Sequence, residues 1–193
     1  MSKTRTSSII EAGRSSARLY FKFPPLLPFE TSLAKNIQIY LKISPQANGL
    51  YSKVFVTGDI QRIILPSTGS GSRTHELWKH TCIEFFLKRP ASPTYTEFNL
   101  SPSGNWNSYS FKSWREGRTE PEVEFSPTIN LIRKENELIF ETLIPWADSK
   151  EGEWLLGPAV ILETDLGIIH WALSHPVKTP DFHREGHFIS LEC

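Results

Sequence analysis

Residues 82–100, CIEFFLKRPASPTYTEFNL, contain two short segments in which polar and apolar residues alternate. In the first segment Glu84 lies between apolar neighbours, and in the second Glu97 and Asn99 flank Phe98. A period of two places successive side chains on opposite faces of a β-strand. If the two strands are neighbours, Glu84, Glu97 and Asn99 project from the same face of one sheet.

The same period recurs along most of the chain. Further candidate strands cover residues 19–23, 37–43, 50–57, 59–65, 106–112, 128–133, 137–143, 159–164, 168–173 and 187–191. Fourteen prolines and eleven glycines punctuate these segments, and a helix signal is confined to one turn after Pro145. The pattern predicts an all-β protein, an antiparallel β-sandwich that is jelly-roll-like, with about ten strands and little helix.

Composition limits the organisation and the location of the chain. The 193 residues suffice for one domain. We expect a β-sandwich domain over residues 19–193 and a disordered tail over the Ser- and Arg-rich residues 1–18. The N-terminus has no apolar segment of secretory type, and Cys82 and Cys193 do not make a disulfide framework. We therefore expect a cytoplasmic protein, with an organellar transit peptide as the alternative.

Charge and hydropathy also restrict the partners. Lys and Arg number 21 and Asp and Glu number 21, so the formal net charge is zero. A nucleic-acid binder usually has a basic excess, so no nucleic-acid partner is expected. The apolar runs are much shorter than the roughly 18 residues that span a bilayer, so no membrane partner is expected either. Because a sheet edge can pair with a second copy, the chain is expected to be a monomer or a dimer.

An aromatic residue lies close to the polar strand positions. Trp78 is in a loop-like stretch beside Lys79 and His80. Proteins hold sugars by placing the apolar side of the ring on an aromatic face while carboxylates and amides bind the hydroxyls. Two interpretations compete with this one: the polar positions form a solvated sheet face, and the tryptophans belong to the core.

Three segments resemble the DOMON-like superfamily. They are residues 78–87 (WKHTCIEFFL), 97–106 (EFNLSPSGNW) and 171–183 (WALSHPVKTPDFH). The resemblance extends over about residues 19–192 and is strongest to free-standing bacterial, chiefly cyanobacterial and proteobacterial, DOMON-like proteins. The superfamily also contains the family 9 carbohydrate-binding modules and haem-binding DOMON domains.

The resemblance implies a β-sandwich with a pocket for a sugar or for haem. In the carbohydrate-binding modules two tryptophans enclose the sugar, and Trp78 and Trp171 resemble that pair here. We therefore expect non-catalytic binding of a small ligand, a carbohydrate or a sugar-containing molecule. The predicted ligand-binding residues are Trp78, Glu84, Glu97, Asn99, Trp106 and Trp171.

Haem and a divalent metal are alternative ligands. Since the only methionine is Met1, haem would need histidine as its axial ligand. For a metal, the predicted ligands are His175, Asp181 and His183, provided that a loop brings them together. The competing interpretation is that these side chains hydrogen-bond backbone groups and stiffen the loop. The histidines available to haem are His80, His170, His175, His183 and His187.

A glycoside-processing enzyme is a further alternative. Glu84 and Glu97 would be its paired carboxylates, which need a separation of roughly 5–5.5 Å for retention or 6.5–9.5 Å for inversion. The sequence contains no nucleophile elbow, phosphate loop or dinucleotide fingerprint. The balance of the sequence evidence favours binding over catalysis.

Overall fold

Two antiparallel β-sheets pack face to face in the computed structural model, which describes residues 21–123, 125–146 and 152–192. This architecture confirms the all-β antiparallel sandwich with little helix that the sequence predicts. The tail predicted at residues 1–18 lies outside the described residues. Within the described part of the chain, no helix is long and apolar enough to cross a membrane.

Twelve strands are present among the described residues. They are β1 (Phe21–Lys22), β2 (Leu27–Pro28), β3 (Ile37–Gln46), β4 (Gly49–Gly58), β5 (Cys82–Lys88), β6 (Tyr95–Leu100), β7 (Trp106–Phe111), β8 (Thr128–Arg133), β9 (Glu137–Pro145), β10 (Glu153–Thr164), β11 (Gly167–Ala172) and β12 (Ile189–Glu192). The helical structure of the described residues consists of the 3₁₀ turns Ile60–Arg62, Leu77–Lys79 and Glu185–His187. In place of the strand predicted at residues 59–65, the structure has this first turn and an isolated bridge between Ile63 and Thr164.

The strands divide into two sheets. Sheet A has the order β1-β3-β4-β9-β8, and sheet B has the order β2-β11-β10-β5-β6-β7, with β12 also pairing with β10. A two-residue turn between Gln46 and Gly49 joins β3 to β4. Residues 112–127 connect β7 of sheet B to β8 of sheet A, in the region where the sequence predicts a long excursion.

The inner faces of the two sheets form the main core. Alternate residues of each strand form this core, because residues two apart along a strand point to the same face of the sheet. On sheet B, for example, Ile83, Phe85 and Leu87 point inward while Glu84 and Phe86 point outward. The inward side chains of sheet A include Ile39, Leu41, Ile43, Val54, Val56 and Phe140.

The outer face of sheet B is covered as well. Its buried apolar side chains form a second cluster, separate from the core between the sheets and joined by Phe182 from outside the sheet: Cys82, Phe86, Tyr95, Tyr109, Phe111 and Ile161. The covering segments are residues 73–80, 112–119 and 174–188, whose side chains contact this cluster. Sheet B is therefore the central layer of the molecule, with a buried surface on both sides.

Strand β10 lets the last covering segment approach sheet B closely. Its first four residues pair with β12, and residues from Ala159 onward pair with β11. Gly157 and Pro158 lie between these two pairings. A Cβ atom at Gly157 would lie 3.1 Å from the carbonyl oxygen of His187. Glycine at this position thus provides space for the chain that leads out of the 174–188 segment.

Candidate functional site

A cavity of about 370 Å³ lies on the outer face of sheet B, beneath the covering segments. Its lining combines aromatic, carboxyl and guanidinium groups, which together can contact both the apolar and the polar parts of a small molecule. The lining residues are Trp78, Glu84, Glu97, Tyr109, Phe111, Arg115, Arg118, Ile161, His170, Pro180, Phe182 and His183.

Strand register brings Glu84 and Glu97 together on the floor of the cavity, whereas Asn99 is buried beside them and does not line it. Glu84 of β5 pairs with Asn99 of β6, and Phe86 pairs with Glu97. Glu84 and Glu97 are therefore diagonal neighbours on one face of the sheet, which are within reach of long side chains. The arrangement agrees with the face expected from the alternating pattern.

Glu97 is held by its neighbour on the same strand. The Asn99 amide Nδ2 donates a hydrogen bond to Glu97 Oε1 at 2.6 Å, and both side chains are buried. Burial raises the pKa of the Glu97 carboxyl, while the Asn99 hydrogen bond and the charges of Arg115 and Arg118 act in the opposite direction. The second oxygen, Oε2, is left to face the cavity, with His183 Nε2 at 3.8 Å.

Glu84 has a different environment. Only 3% of the residue is exposed, and no side chain of the described residues donates a hydrogen bond to its carboxyl group. Burial, followed by the nearby charge of Glu97, raises the pKa of Glu84 well above its ordinary value, and the charge of Arg115 opposes this shift. A protonated carboxyl group can both donate and accept a hydrogen bond. Whenever Glu84 is protonated, the floor of the cavity offers a hydrogen-bond donor as well as acceptors to a ligand.

Aromatic rings form one wall of the cavity. Trp78, in the 3₁₀ turn Leu77–Lys79, is half-buried and contacts Tyr109 edge to face, with ring centroids 6.0 Å apart. The guanidinium carbon of Arg118 lies 5.2 Å from the centroid of the Tyr109 ring. Tyr109 therefore contacts both Trp78 and Arg118 at the cavity wall.

Hydrogen bonds join two of the covering segments above the floor. Asp181 accepts hydrogen bonds from Arg115 at 3.1 Å and from Arg184 at 2.9 Å. The Tyr95 hydroxyl lies 2.6 Å from His183 Nδ1 and accepts a hydrogen bond from the backbone amide of Arg115. These bonds attach residues 112–119 to residues 174–188, so the two segments form one roof.

The protonation of the roof residues follows from these contacts. Burial and the charge of Arg115 lower the pKa of His183 to about 4, so its ring is neutral at pH 7. At Asp181, burial opposes ionisation, but the hydrogen bonds from Arg184, the His183 amide and Arg115 outweigh it and lower the pKa. The roof therefore has an ionised Asp181 beside a neutral His183.

Two of the predicted ligand-binding residues lie elsewhere. Trp106 and Trp171 point to the inner face of sheet B and pack in the core between the sheets. Trp171 is 2% exposed, and Trp106 donates its indole hydrogen to the Gly71 carbonyl oxygen. The reason is register: Trp106 pairs with Leu100, and Trp171 pairs with Val160, both of which point inward. Neither tryptophan lines the cavity.

The predicted metal ligands have other partners. Among residues 21–123, 125–146 and 152–192, no group of three or more His, Cys, Asp or Glu side chains is placed to hold a metal ion, so His175, Asp181 and His183 do not form the predicted cluster. The carboxylate of Asp181 is instead neutralised by two arginines, and His175 Nε2 lies 2.7 Å from the Leu27 carbonyl oxygen. Asp181 also accepts a hydrogen bond from the His183 backbone amide at 3.2 Å, which is the kind of contact that the competing interpretation expects.

The histidines considered for haem are spread over several places. His170 and His183 line the cavity, and His170 Nδ1 lies 2.9 Å from Glu30 Oε1. His80 lies beside Glu163, and His175 and His187 pack against each other with ring centroids 6.3 Å apart.

Seven lining residues were not among the sequence candidates: Tyr109, Phe111, Arg115, Arg118, Ile161, Pro180 and Phe182. Tyr109 could have been found from strand parity, because it pairs with Glu97 across β6 and β7 and shares its face. Arg115 and Arg118 belong to a charged connection with no periodicity. Nothing in their sequence context indicates that they return to the sheet.

The fold and the cavity define a three-layered arrangement: a β-sandwich with a roofed cavity on the outer face of one sheet. A crystal structure of a proposed carbohydrate-binding protein from Bacteroides uniformis has this fold, with a TM-score of 0.57 and 13% identity, over 90% of this chain and 85% of that chain. No protein-family model and no curated protein matches the sequence.

Two further solved structures are family 9 carbohydrate-binding modules from Caldicellulosiruptor kristjanssonii. The complex with cellotriose has a TM-score of 0.42 and 10% identity, and covers 71% of this chain and 65% of that chain. The complex with glucose has a TM-score of 0.41 and 13% identity, and covers 86% of this chain and 81% of that chain.

Proposed function

We propose that the chain binds a carbohydrate or a sugar-containing small molecule in the outer cavity of sheet B, without transforming it. The observation that carries the proposal is the floor, where the buried Glu84 and Glu97 converge beneath an aromatic wall and Asn99 holds Glu97 from outside the lining. Burying polar groups is costly unless they find partners. A ligand rich in hydroxyl groups supplies such partners.

The cavity suggests how the ligand would be held. Trp78 would stack on the apolar side of a sugar ring, while Glu97 Oε2 and the carboxyl group of Glu84 would bind hydroxyl groups. The Asn99 amide would act through Glu97, whose orientation it fixes. The cavity volume of about 370 Å³ is near the lower end of small-molecule pockets, which favours a ligand of one or two sugar rings.

Membership of the DOMON-like superfamily is part of this proposal. It is supported by the segments 78–87 and 171–183, which contribute Trp78, Glu84, Phe182 and His183 to the cavity. The likeness of fold to the Bacteroides protein, described as a proposed carbohydrate binder, points in the same direction. A cytoplasmic location, expected from the sequence, belongs to the proposal too, and would favour a soluble sugar or a nucleotide sugar as the ligand.

A thermal-shift panel tests the proposal. Purified protein is heated with monosaccharides, oligosaccharides, nucleotide sugars, haem and divalent metals. A ligand at 100 times its dissociation constant adds about 2.7 kcal/mol of stability, which raises the Tm of a domain of this size by roughly 5–10 °C. We expect a shift with one class of sugar.

Matched variants place the ligand. E97Q alters the floor, whereas E141Q alters a glutamate of sheet A that pairs with Lys53, far from the cavity lining. We expect E97Q to abolish the sugar-induced shift and E141Q to preserve it. A shift with haem or metal alone, or no shift with any compound, contradicts the proposal.

A glycoside-processing enzyme is the second candidate, favoured by the two acidic side chains on one face of the sheet. It predicts release of a chromophore from aryl glycosides, and loss of that release in E84Q. If E84Q still binds the sugar and the unmodified protein shows no turnover, binding alone accounts for the site.

A further inference from the structure

Two arginines line the outer cavity, and they differ in their partners. Arg115 donates a hydrogen bond to Asp181 at 3.1 Å, so a carboxylate of the protein neutralises its charge. Of the carboxylates that the structure describes, none forms an ion pair with Arg118. The positive charge of Arg118 is therefore available to a molecule in the cavity.

The acidic residues nearest to Arg118 in the chain have other partners. Glu116 Oε2 accepts a hydrogen bond from the Ser113 hydroxyl at 2.8 Å. Glu120 Oε2 lies 3.9 Å from Arg73 Nη1. Neither carboxylate is thus paired with Arg118, although each lies two residues away from it along the chain.

The guanidinium group of Arg118 has a defined place at the cavity wall. Its carbon lies 5.2 Å from the centroid of the Tyr109 ring, and the Trp78 ring contacts the same tyrosine with centroids 6.0 Å apart. The charge of Arg118 also acts on the floor, where it opposes the burial that raises the pKa of Glu97. Because Arg118 is exposed, a ligand can reach it. Tyr109 therefore places a positive charge beside the tryptophan on which a sugar ring would stack.

The roof adds to this positive charge. Arg115 and Arg184 both donate to the one carboxylate of Asp181, so these two guanidinium groups and one carboxylate have one positive charge in excess. Planar guanidinium groups bind carboxylates and phosphates through paired, charge-assisted hydrogen bonds. The roof and the Arg118 side of the wall therefore attract an anionic group.

The floor opposes an anionic group only weakly. Burial raises the pKa of both Glu84 and Glu97, which favours the uncharged form of each carboxyl group. Uncharged carboxyl groups still bind hydroxyl groups, since they both donate and accept hydrogen bonds. The floor thus suits the hydroxyl groups of a ligand, and the Arg118 side suits a negative charge.

We propose that the ligand of the outer cavity is an acidic sugar, whose carboxylate or phosphate group binds Arg118 while its ring stacks on Trp78. The inference rests on the function proposed above and narrows the ligand from sugars in general to sugars with an anionic group. The guanidinium N–H groups of Arg118 donate to two oxygen atoms of that group. The hydroxyl groups of the same molecule bind Glu84 and Glu97.

Sets of matched sugars test the role of the charge. Each set contains a neutral hexose, its uronate and its 1-phosphate, built on glucose, galactose or mannose, and inorganic phosphate is measured beside them by isothermal titration calorimetry. In one set we expect an acidic member to bind about tenfold or more tightly than the neutral hexose, because charge-assisted hydrogen bonds are about twice as strong as neutral ones. Raising NaCl from about 20 mM to about 500 mM should remove most of this difference, since salt screens exposed charges. Preference for the uronate or for the 1-phosphate distinguishes a carboxylate ligand from a phosphate ligand.

Variants of Arg118 place the anionic group. R118Q removes the charge, R118K keeps it without the planar fork, and R133Q is the control at an exposed arginine of sheet A that donates to Gln61 at 2.9 Å, outside the lining. We expect R118Q to weaken binding of the acidic sugar about tenfold or more and that of the neutral hexose less than about threefold. R118K should lie between R118Q and the unmodified protein, and R133Q should leave both affinities unchanged. The salt dependence of the unmodified protein tests the charge without any variant.

The outcomes separate this inference from the function on which it rests. If the neutral hexoses bind as tightly as the acidic sugars, or if R118Q weakens both equally, the acidic-sugar inference fails and carbohydrate binding stands. If inorganic phosphate binds as tightly as the 1-phosphates, the sugar ring contributes nothing and the inference fails as well. If no member of any set binds, the inference and the proposed function fail together.

Discussion

Asn99 and Glu97 point to the same side of β6, and the Asn99 amide donates to the Glu97 carboxylate at 2.6 Å beneath the roof of the outer cavity. Removing the donor leaves a buried carboxylate without its partner. We expect N99A to lower the free energy of unfolding by about 1–3 kcal/mol at pH 7, measured by urea denaturation. N130A, at an exposed position of sheet A, serves as the control. The loss should shrink at pH 4, where Glu97 is protonated, and an equal loss at both pH values would contradict this account.

The buried carboxyl group of Glu84 should make the free energy of unfolding depend on pH in a distinctive way. The pKa of its carboxyl group is higher in the folded state than the ordinary value of 4.5, mainly because of burial. The folded state therefore binds more protons than the unfolded state, and stability falls as pH rises above 4.5. We expect E84Q to be more stable than the unmodified protein at pH 8 and equally stable at pH 4, by thermal denaturation. The exposed control variant E135Q should not change the profile, and an E84Q protein that is less stable at pH 8 would refute the prediction.

Trp78 provides the most direct test of ligand stacking. We expect W78A to weaken sugar binding more than tenfold, which is about 1.4 kcal/mol or more, in isothermal titration calorimetry. The fold should persist, because Trp78 is half-buried at the cavity wall rather than in the core between the sheets. I132A removes an exposed apolar side chain of sheet A, which does not line the cavity, and should change the affinity less than threefold. Equal affinities of W78A and the unmodified protein would exclude stacking.

His183 should titrate far from the usual histidine range. Burial and Arg115 lower its pKa from 6.5 to about 4. The unfolded state then binds more protons than the folded state between these values, so stability is lost as pH falls from 6.5 towards 4. We expect the His183 ring signals in ¹H–¹³C spectra to have a midpoint near pH 4, and H183N to flatten this part of the stability profile. A midpoint near 6.5 would show that the ring is not enclosed by the roof.

Much of the floor of the site follows from alternation in the sequence. A period of two is enough to place Glu97 and Asn99 on one face of β6, and strand pairing adds Glu84. Trp106 shows what alternation cannot decide, because it was predicted at the binding site but lies in the core between the sheets. Alternation says which residues share a face but not which face is inward, and that depends on the pairing of Trp106 with Leu100.

The roof could not be predicted in this way. Arg115 lies in a connection without regular structure, and its conformation depends on Asp181, which is 66 residues away in the chain. Local propensity contains no information about such a contact. The same holds for Trp154: the strand predicted at residues 159–164 stops short of it, and its place on β10 depends on pairing with Leu191 of β12.

The Tyr95 hydroxyl and His183 Nδ1 lie 2.6 Å apart, although 88 residues separate them in the chain. This separation has a consequence for synthesis in the cell. A ribosome that adds about 5–20 residues per second needs roughly 4–18 s to make that stretch. Throughout this time the carboxyl groups of β5 and β6 remain hydrated on a nascent chain, and their desolvation is deferred until the segment around His183 emerges. Occupancy of the outer cavity would therefore report that translation has passed His183, and a prematurely terminated chain would lack the binding site even if its strands had begun to pair.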